Sequence, residues 1–83
     1  MKICVLTQPG PRGELEPCSF RLGGQRVPIV GIIDRWRGPV QRYLVRDRAG
    51  RRFVLRKQDS GSWELEAVYG PAPRATKGVS AVT

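Results

Sequence analysis

The stretch QRYLVRDRAGRRFVLRK, residues 41–57, decides the fold. Two alternating runs flank residues 48–50, a three-residue loop whose last member, Gly50, fits a type I turn followed by a left-handed residue. Such a loop pairs Asp47 with Arg51, and the register then follows by counting. The predicted facing pairs are Val45 with Phe53, Tyr43 with Leu55, Arg46 with Arg52, Leu44 with Val54, and Arg42 with Arg56. The stretch is therefore a β-hairpin with one apolar face and one face rich in arginine.

Short extended runs separated by turn-forming residues make up the rest of the chain. We expect strands at residues 2–7, 19–22, 25–36, 41–47, 51–57 and 62–69, with a loop at residues 8–17. Gly23-Gly24 is a two-residue hairpin signal, and Pro28 with Gly31 predicts an edge position, a bulge or a sharp bend in the longest run. If Leu55 pairs with Trp63, the apolar face continues onto the last strand. The core side chains predicted there are Trp63, Leu65, Ala67 and Tyr69, and the same register sets Phe53 opposite Leu65 and Arg52 opposite Glu66.

These elements predict an all-β domain. Because alternating faces have to be buried and open sheet edges invite aggregation, we expect an antiparallel sheet of five or six strands that curls into a small, partly open barrel. This is a β-meander of the Src-homology type, and orthogonal packing of two short sheets fits the same pattern. A chain of 83 residues has room for one domain, predicted at residues 1–70. Residues 71–83 are rich in Pro, Ala, Gly, Ser and Thr, and we expect a flexible tail there.

The residue inventory argues against catalysis. Histidine is absent and there are two cysteines, which excludes Ser-His-Asp and Cys-His arrangements and a four-ligand zinc site. The acidic pairs Glu14 with Glu16 and Glu64 with Glu66 have no neighbours that would position them for acid–base work. We therefore expect a protein that is not an enzyme and that uses no cofactor and no metal.

Hydropathy and charge bear on location and on partners. The longest apolar run, residues 29–33, is too short to span a membrane, and the apolar patch at residues 1–7 ends too early for a signal peptide. We expect a cytoplasmic protein with no membrane partner, in which Cys4 and Cys18 stay reduced; a disulfide between them is the alternative. The 15 Lys and Arg against seven Asp and Glu give a formal net charge of +8, so polyanions are the first partners to consider.

The positive charge is concentrated on the hairpin. Residues 34–57 contain nine bases and two acids, so they hold +7 of the formal net charge of +8. The predicted register sets two pairs of arginines directly opposite each other, and each such pair is destabilising by up to about 1 kcal/mol. Phosphates of a nucleic acid would neutralise this face, with Leu44 and Val54 against sugar or bases; alternatively, Glu64 and Glu66 form a solvated ladder of ion pairs with it. The candidate nucleic-acid-binding residues are Arg35, Trp36, Arg37, Arg42, Arg46, Arg48, Arg51, Arg52, Arg56 and Lys57.

Trp36 lies between two arginines at the end of a strand. Exposed, it would be a stacking platform for a base, whereas buried it would cap the barrel core. A sheet of the RNA-recognition type needs outward aromatic rings, but Tyr43 and Phe53 are predicted to point inward, so a sheet of that type is not expected. An acidic protein surface is the alternative partner, bound at an open edge near Pro28 or at the Trp36 loop. A structural subunit of a larger assembly is a third alternative, and the oligomeric state is not predicted.

Several short motifs resemble a known bacterial domain. They are FRLGGQRV at residues 20–27, IDRWR at 33–37, QRYLVRDRAG at 41–50 and GSWELEAVY at 61–69. Over about residues 19–69 the chain is similar to a small domain of otherwise unassigned function, the C-terminal portion of Y-family-polymerase-like proteins of the mutasome. The resemblance implies an accessory module in DNA-damage tolerance that contacts DNA or other repair proteins and has no active-site residue.

Overall fold

A computed structural model describes residues 1–70, and it contains strands and turns but no helix over that range. The strands are β1 (Lys2–Ile3), β2 (Val5–Pro9), β3 (Leu15–Leu22), β4 (Gln25–Pro28), β5 (Gly31–Trp36), β6 (Gln41–Arg46), β7 (Arg52–Lys57) and β8 (Trp63–Tyr69). The predicted all-β class is confirmed, although the strands number eight and not five or six. The tail predicted at residues 71–83 lies outside the described residues.

The strands form two antiparallel sheets. One has the order β1-β8-β7-β6-β5 and the other has the order β2-β3-β4. Neither sheet closes into a barrel. The two sheets pack against each other instead, through a shared core.

The core lies between the two sheets. Phe20 and Val27 come from the three-stranded sheet and pack against the inward side of the larger sheet. The buried side chains contributed by that larger sheet are Tyr43, Val45, Phe53, Leu55 and Trp63. Phe20 meets Phe53 edge-on, with ring centroids 4.9 Å apart. Burying each such side chain contributes about 1.5–3 kcal/mol, so this contact between the sheets is a main source of stability.

The β6–β7 hairpin has the predicted register at every position. The amide of Asp47 donates to the carbonyl of Arg51 at 3.0 Å, and the amide of Gly50 donates to the carbonyl of Asp47 at 3.1 Å. Gly50 has a φ of 83°, a left-handed conformation that glycine adopts without strain. Because this turn fixes the register, Tyr43, Val45, Phe53 and Leu55 face the core, and the four arginines of the two strands face outward together with Leu44 and Val54.

The register predicted between β7 and β8 is wrong. Gln58 and Ser62 close a second three-residue turn through an amide-to-carbonyl hydrogen bond of 2.8 Å. Leu55 consequently pairs with Leu65 and not with Trp63.

A β-bulge next to Leu55 then shifts the register again. Beyond it the observed pairs are Val54 with Ala67, Phe53 with Val68 and Arg52 with Tyr69, in place of the expected Phe53 with Leu65 and Arg52 with Glu66. Ala67 and Tyr69, expected in the core, therefore lie on the outward side with the arginines, because a bulge changes the face of every residue beyond it.

The bend predicted at Pro28 divides the long run of residues 25–36 between the sheets, since β4 and β5 belong to different sheets. Beyond the bend, the Ile29 amide donates to the Cys18 carbonyl at 3.0 Å. The Val30 amide donates to the carbonyl of Arg46 at 2.8 Å. The connection is thus hydrogen-bonded to both sheets.

The loop expected at residues 8–17 is mostly a hairpin. β2 extends to Pro9, β3 begins at Leu15, and the Gly10 amide closes the turn by donating to the Glu14 carbonyl at 2.6 Å. Prolines are tolerated in these strands because β4 does not reach this part of β3, so each proline lies in a two-stranded ribbon with an open side.

Candidate nucleic-acid interface

The outward side of the β6–β7 hairpin contains the arginines predicted from the sequence. The register puts six side chains on this surface, which we call the arginine face: Arg42, Leu44, Arg46, Arg52, Val54 and Arg56. Arg46 lies directly opposite Arg52, and Arg42 lies directly opposite Arg56. The four arginines expected as phosphate contacts from the sheet therefore share one surface.

Arg42 is neutralised by a carboxylate on β8. Its Nε–H donates to Glu66 Oε1 at 2.8 Å and its Nη2 donates to Oε2 at 3.3 Å. This hydrogen bonding and the Glu66 charge raise the pKa of Arg42, and the hydrogen bond from Arg42 lowers the pKa of Glu66. Nη1 of Arg56 lies 3.9 Å from both Glu64 Oε1 and Glu66 Oε2. In this half of the arginine face the arginines form ion pairs with Glu64 and Glu66, which is the alternative to phosphate binding that the sequence offers.

Arg46 and Arg52 have no such partner. Among residues 1–70, no carboxylate oxygen lies within 4.0 Å of either guanidinium, or of the guanidinium of Arg48 in the adjoining turn. The Arg52 guanidinium instead lies 5.7 Å from the ring centroid of Tyr69, and its buried Nε has no hydrogen-bond partner. We call Arg46 and Arg52 of the arginine face, together with Arg48 of the adjoining turn, the cationic end, because no carboxylate of residues 1–70 compensates their charge.

Arg35 and Arg37, two of the candidate nucleic-acid-binding residues, each form an ion pair with an acidic residue near the β2–β3 turn. Arg35 Nη2 lies 2.6 Å from Glu16 Oε2, and Arg37 Nη2 forms an ion pair with Glu14. Burial, followed by the charge of Glu14, raises the pKa of the Tyr43 hydroxyl on the same side of the sheet. The two arginines connect the β2–β3 ribbon to the end of β5, so they are not free for phosphate.

Arg51 and Lys57 also have structural partners. The Arg51 amide donates to Asp47 Oδ1 and its Nε donates to Oδ2, both at 2.8 Å. Asp47 is only 5% exposed, so its carboxylate requires these donors. The Arg51 guanidinium lies 5.3 Å from the Phe53 ring centroid and Lys57 Nζ lies 6.0 Å from that of Trp63, both rings of the core. Neither cation belongs to the arginine face.

Trp36 lies on the same side of the sheet as the arginine face. It pairs in register with Arg42, and it is 45% exposed. The interpretation that Trp36 caps the core is therefore wrong. An exposed indole beside a cation is a surface on which a base can stack.

The described part of the chain contains no candidate metal site, since no three His, Cys, Asp or Glu side chains of residues 1–70 lie close enough together to hold an ion. Cys4 and Cys18 are free thiols, so the alternative disulfide is not formed. Over the same residues there is no helix with the length and hydropathy needed to cross a membrane.

No protein-family model matches this chain, and no curated protein or solved structure is significantly similar to it. The resemblance to a polymerase-associated domain therefore stays a prediction from the sequence. The function is inferred from the charges and contacts of the surface itself.

The sequence analysis does not predict two features of the molecular surface. Tyr69 lies on the outward side only because of the bulge, whereas strict alternation puts it in the core. Arg21 and Arg26 face each other on the outer side of the three-stranded sheet. The Gly23-Gly24 turn is the signal for this pair, since a two-residue turn sets the residues beyond it opposite each other.

Proposed function

We propose that this chain is a non-catalytic nucleic-acid-binding module that contacts phosphates through the cationic end of the arginine face. The observation that supports this most directly is that Arg46 and Arg52 face each other without a carboxylate partner among residues 1–70. Like charges at facing positions destabilise a sheet by a few tenths of a kcal/mol to about 1 kcal/mol. A bound phosphate would offset this repulsion, because each guanidinium can donate two parallel hydrogen bonds to it.

The surroundings of the cationic end suit a flexible polyanion. Arg48 extends the positive charge into the turn, and Leu44 with Val54 forms an apolar strip beside it. Tyr69 offers a half-exposed ring, and Trp36 offers an exposed indole at the far end of the face. Because stacking on such rings tolerates any base, binding is expected to be weakly selective for sequence.

DNA is the proposed polymer, and damage tolerance in the cytoplasm is the proposed setting. The rings of Tyr43 and Phe53 are buried, so they do not form the outward aromatic platform of an RNA-recognition domain. The motifs at residues 20–27 and 61–69 resemble a domain associated with DNA-damage tolerance, which supports an accessory role beside repair proteins.

Titration of labelled oligonucleotides tests the proposal. Fluorescence anisotropy is measured with single- and double-stranded probes of mixed sequence at about 50 and about 200 mM salt. The expected result is binding at the lower salt that weakens at the higher salt and depends little on base sequence. Absence of binding to both probes at the lower salt would overturn the proposal.

The alternative of a protein-binding sheet edge near Pro28 gains no support from residues 29 and 30. After Pro28, the amides of Ile29 and Val30 already donate to carbonyls of the two sheets. A peptide strand that added here would find these donors occupied. β4 and β5 are end strands of the two sheets, so a peptide strand near Pro28 would have to pair with their outer edges.

A further inference from the structure

The outward side of the three-stranded sheet contains an apolar cleft that the proposed nucleic-acid contacts do not use. Its volume is about 250 Å³. The residues that line it are Cys4, Leu6, Ser19, Phe20, Arg21 and Arg26. Leu6 is 61% exposed, so apolar surface meets solvent here. A cleft of this size can accept one apolar side chain of a partner.

Two arginines without carboxylate partners border this cleft. Arg21 pairs in register with Arg26, so their side chains lie next to each other on the outer face. Both are exposed, and no carboxylate of residues 1–70 lies within 4.0 Å of either guanidinium. Arg21 Nη1 donates to the Gly24 carbonyl at 3.3 Å. The cleft therefore combines an apolar centre with two uncompensated positive charges.

Ser19 adds a buried polar group to the cleft. The residue is 1% exposed, and its Oγ has no hydrogen-bond partner within the described part of the chain. An unpaired buried hydroxyl is unfavourable. Ser19 lines the cleft, but its Oγ exposes less than 1 Å² of surface, so the hydroxyl lies beneath the wall of the cleft and is not open to a ligand.

We infer that this cleft binds a short acidic segment of a partner protein. One apolar side chain of the segment fills the cleft, and its carboxylates pair with Arg21 and Arg26. This match rests on charge complementarity, since hydrogen bonds between guanidinium and carboxylate groups are stronger than neutral ones.

Two other occupants suit the cleft less well. A nucleic-acid strand suits the cleft less well than the cationic end, because the cleft has two arginines and a buried aromatic ring, Phe20, whereas the cationic end has three arginines and the half-exposed ring of Tyr69. A second copy of this chain has the same formal net charge of +8 and is repelled. Residues 14–16, Glu-Leu-Glu, have the required pattern, but their carboxylates are already paired with Arg35 and Arg37.

The inference does not rest on the proposed nucleic-acid binding. The cleft and the cationic end lie on the outward faces of different sheets with the core between them, so a polyanion and an acidic segment can be bound together. Each surface contains one pair of facing arginines without carboxylate partners in residues 1–70. Charge reversal of one pair is therefore a matched control for charge reversal of the other.

A labelled peptide with a single phenylalanine between acidic residues is the probe. Two control peptides have alanine in place of the phenylalanine or lysines in place of the acids. We expect anisotropy titrations with the full chain to show binding of the probe that is about tenfold or more tighter than that of either control. The Arg21→Glu/Arg26→Glu variant is expected to lose at least about tenfold in affinity for the probe, and Arg46→Glu/Arg52→Glu is expected to keep it. Equal binding of the three peptides, or equal losses in the two variants, would overturn the inference.

Cys4 provides a second readout that does not depend on charge variants. It is an exposed free thiol in the lining of the cleft, and Cys18→Ser leaves it as the single thiol of the chain. The peptide is expected to slow the reaction of Cys4 with a thiol reagent in proportion to the fraction bound. Peptide binding that leaves this rate unchanged would place the peptide elsewhere and overturn the inference. If an oligonucleotide slows the reaction of Cys4, the occupant of the cleft is a nucleic acid and not an acidic segment. If a higher concentration of the chain itself slows the reaction, the occupant is a second copy.

Discussion

Arg42 and Glu66 form a bidentate ion pair across the intervening strand β7, with Nε 2.8 Å from Oε1 and Nη2 3.3 Å from Oε2. Arg56, on that intervening strand, lies 3.9 Å from the same carboxylate. Glu66 therefore determines how much of the arginine face is free to bind an anion. With Glu66 in place, Arg46 and Arg52 are the arginines of the arginine face that have no carboxylate partner among residues 1–70.

Replacing Glu66 by glutamine is expected to strengthen nucleic-acid binding. The Glu66→Gln variant loses the carboxylate that holds Arg42, so this guanidinium becomes available to a phosphate. One further phosphate contact steepens the slope of log affinity against log salt by about 0.9 on duplex DNA, which anisotropy titrations over a salt series measure. Glu64→Gln is the control, since it removes the same charge without releasing Arg42. An equal gain in both variants would contradict the role given to the pair.

The same ion pair predicts a pH dependence of stability. The hydrogen bond from Arg42 lowers the pKa of Glu66 below its usual value of about 4.3. The pair therefore stabilises the fold above that pH, and the contribution is lost as the pH falls through the folded-state pKa. We expect the Tm of the natural chain to exceed that of Glu66→Gln slightly at about pH 6, since the pair is exposed, and the difference to disappear as the pH is lowered through the folded-state pKa of Glu66. A difference that persists at the lower pH would show that ionisation is not its cause.

The salt dependence of duplex binding reports how many phosphates are neutralised. Three contacts from the cationic end predict a slope of about −2.7, so raising the salt from about 50 to about 200 mM weakens binding roughly 40-fold. If Arg42 and Arg56 were also free, five contacts would give a slope of about −4.5 and a loss of roughly 500-fold. A measured slope near the second value would contradict the assignment of these two arginines to ion pairs.

The contact between Phe20 and Phe53 joins the two sheets, so truncating it is expected to be severe. Phe20→Ala removes a side chain that is 1% exposed and should reduce the free energy of unfolding by about 3–5 kcal/mol. Urea denaturation followed by circular dichroism measures this loss. Leu15→Ala is the control, because Leu15 is 53% exposed and its truncation should change the free energy by no more than about 0.5 kcal/mol. Similar losses in the two variants would mean that the sheets do not depend on the aromatic contact.

Residues 41–57 show what local sequence can determine. A three-residue loop ending in glycine and the alternation on both sides specify the same register, so pairs such as Val45 with Phe53 follow by counting. The turn closed by residues 58 and 62 obeys the same loop rule, which gives the observed pair of Leu55 with Leu65. The bulge beside Leu55 has no local signal, because it depends on how β8 packs over the core.

The sequence predicts where the arginine face lies, but it does not predict which of its arginines have a carboxylate partner. The expected β7–β8 register puts Glu66 opposite Arg52, whereas the observed register puts Glu66 near Arg42 and leaves Arg52 beside the Tyr69 ring. Arg35 is paired only because the segment expected as a loop at residues 8–17 folds into a ribbon that brings acids to the end of β5. Both outcomes depend on pairing between distant segments, which periodicity does not specify.

Two charge-reversal variants test the central claim most directly. Arg46→Glu/Arg52→Glu and Arg21→Glu/Arg26→Glu each replace one pair of facing arginines, so they reduce the formal net charge equally. Circular dichroism first establishes that both variants fold, and anisotropy at about 50 mM salt then compares their affinities for one oligonucleotide. We predict a loss of at least about tenfold in the first variant and a much smaller loss in the second. Equal losses would mean that overall charge, and not the cationic end, attracts the nucleic acid, and an unchanged affinity in the first variant would contradict phosphate binding at this surface.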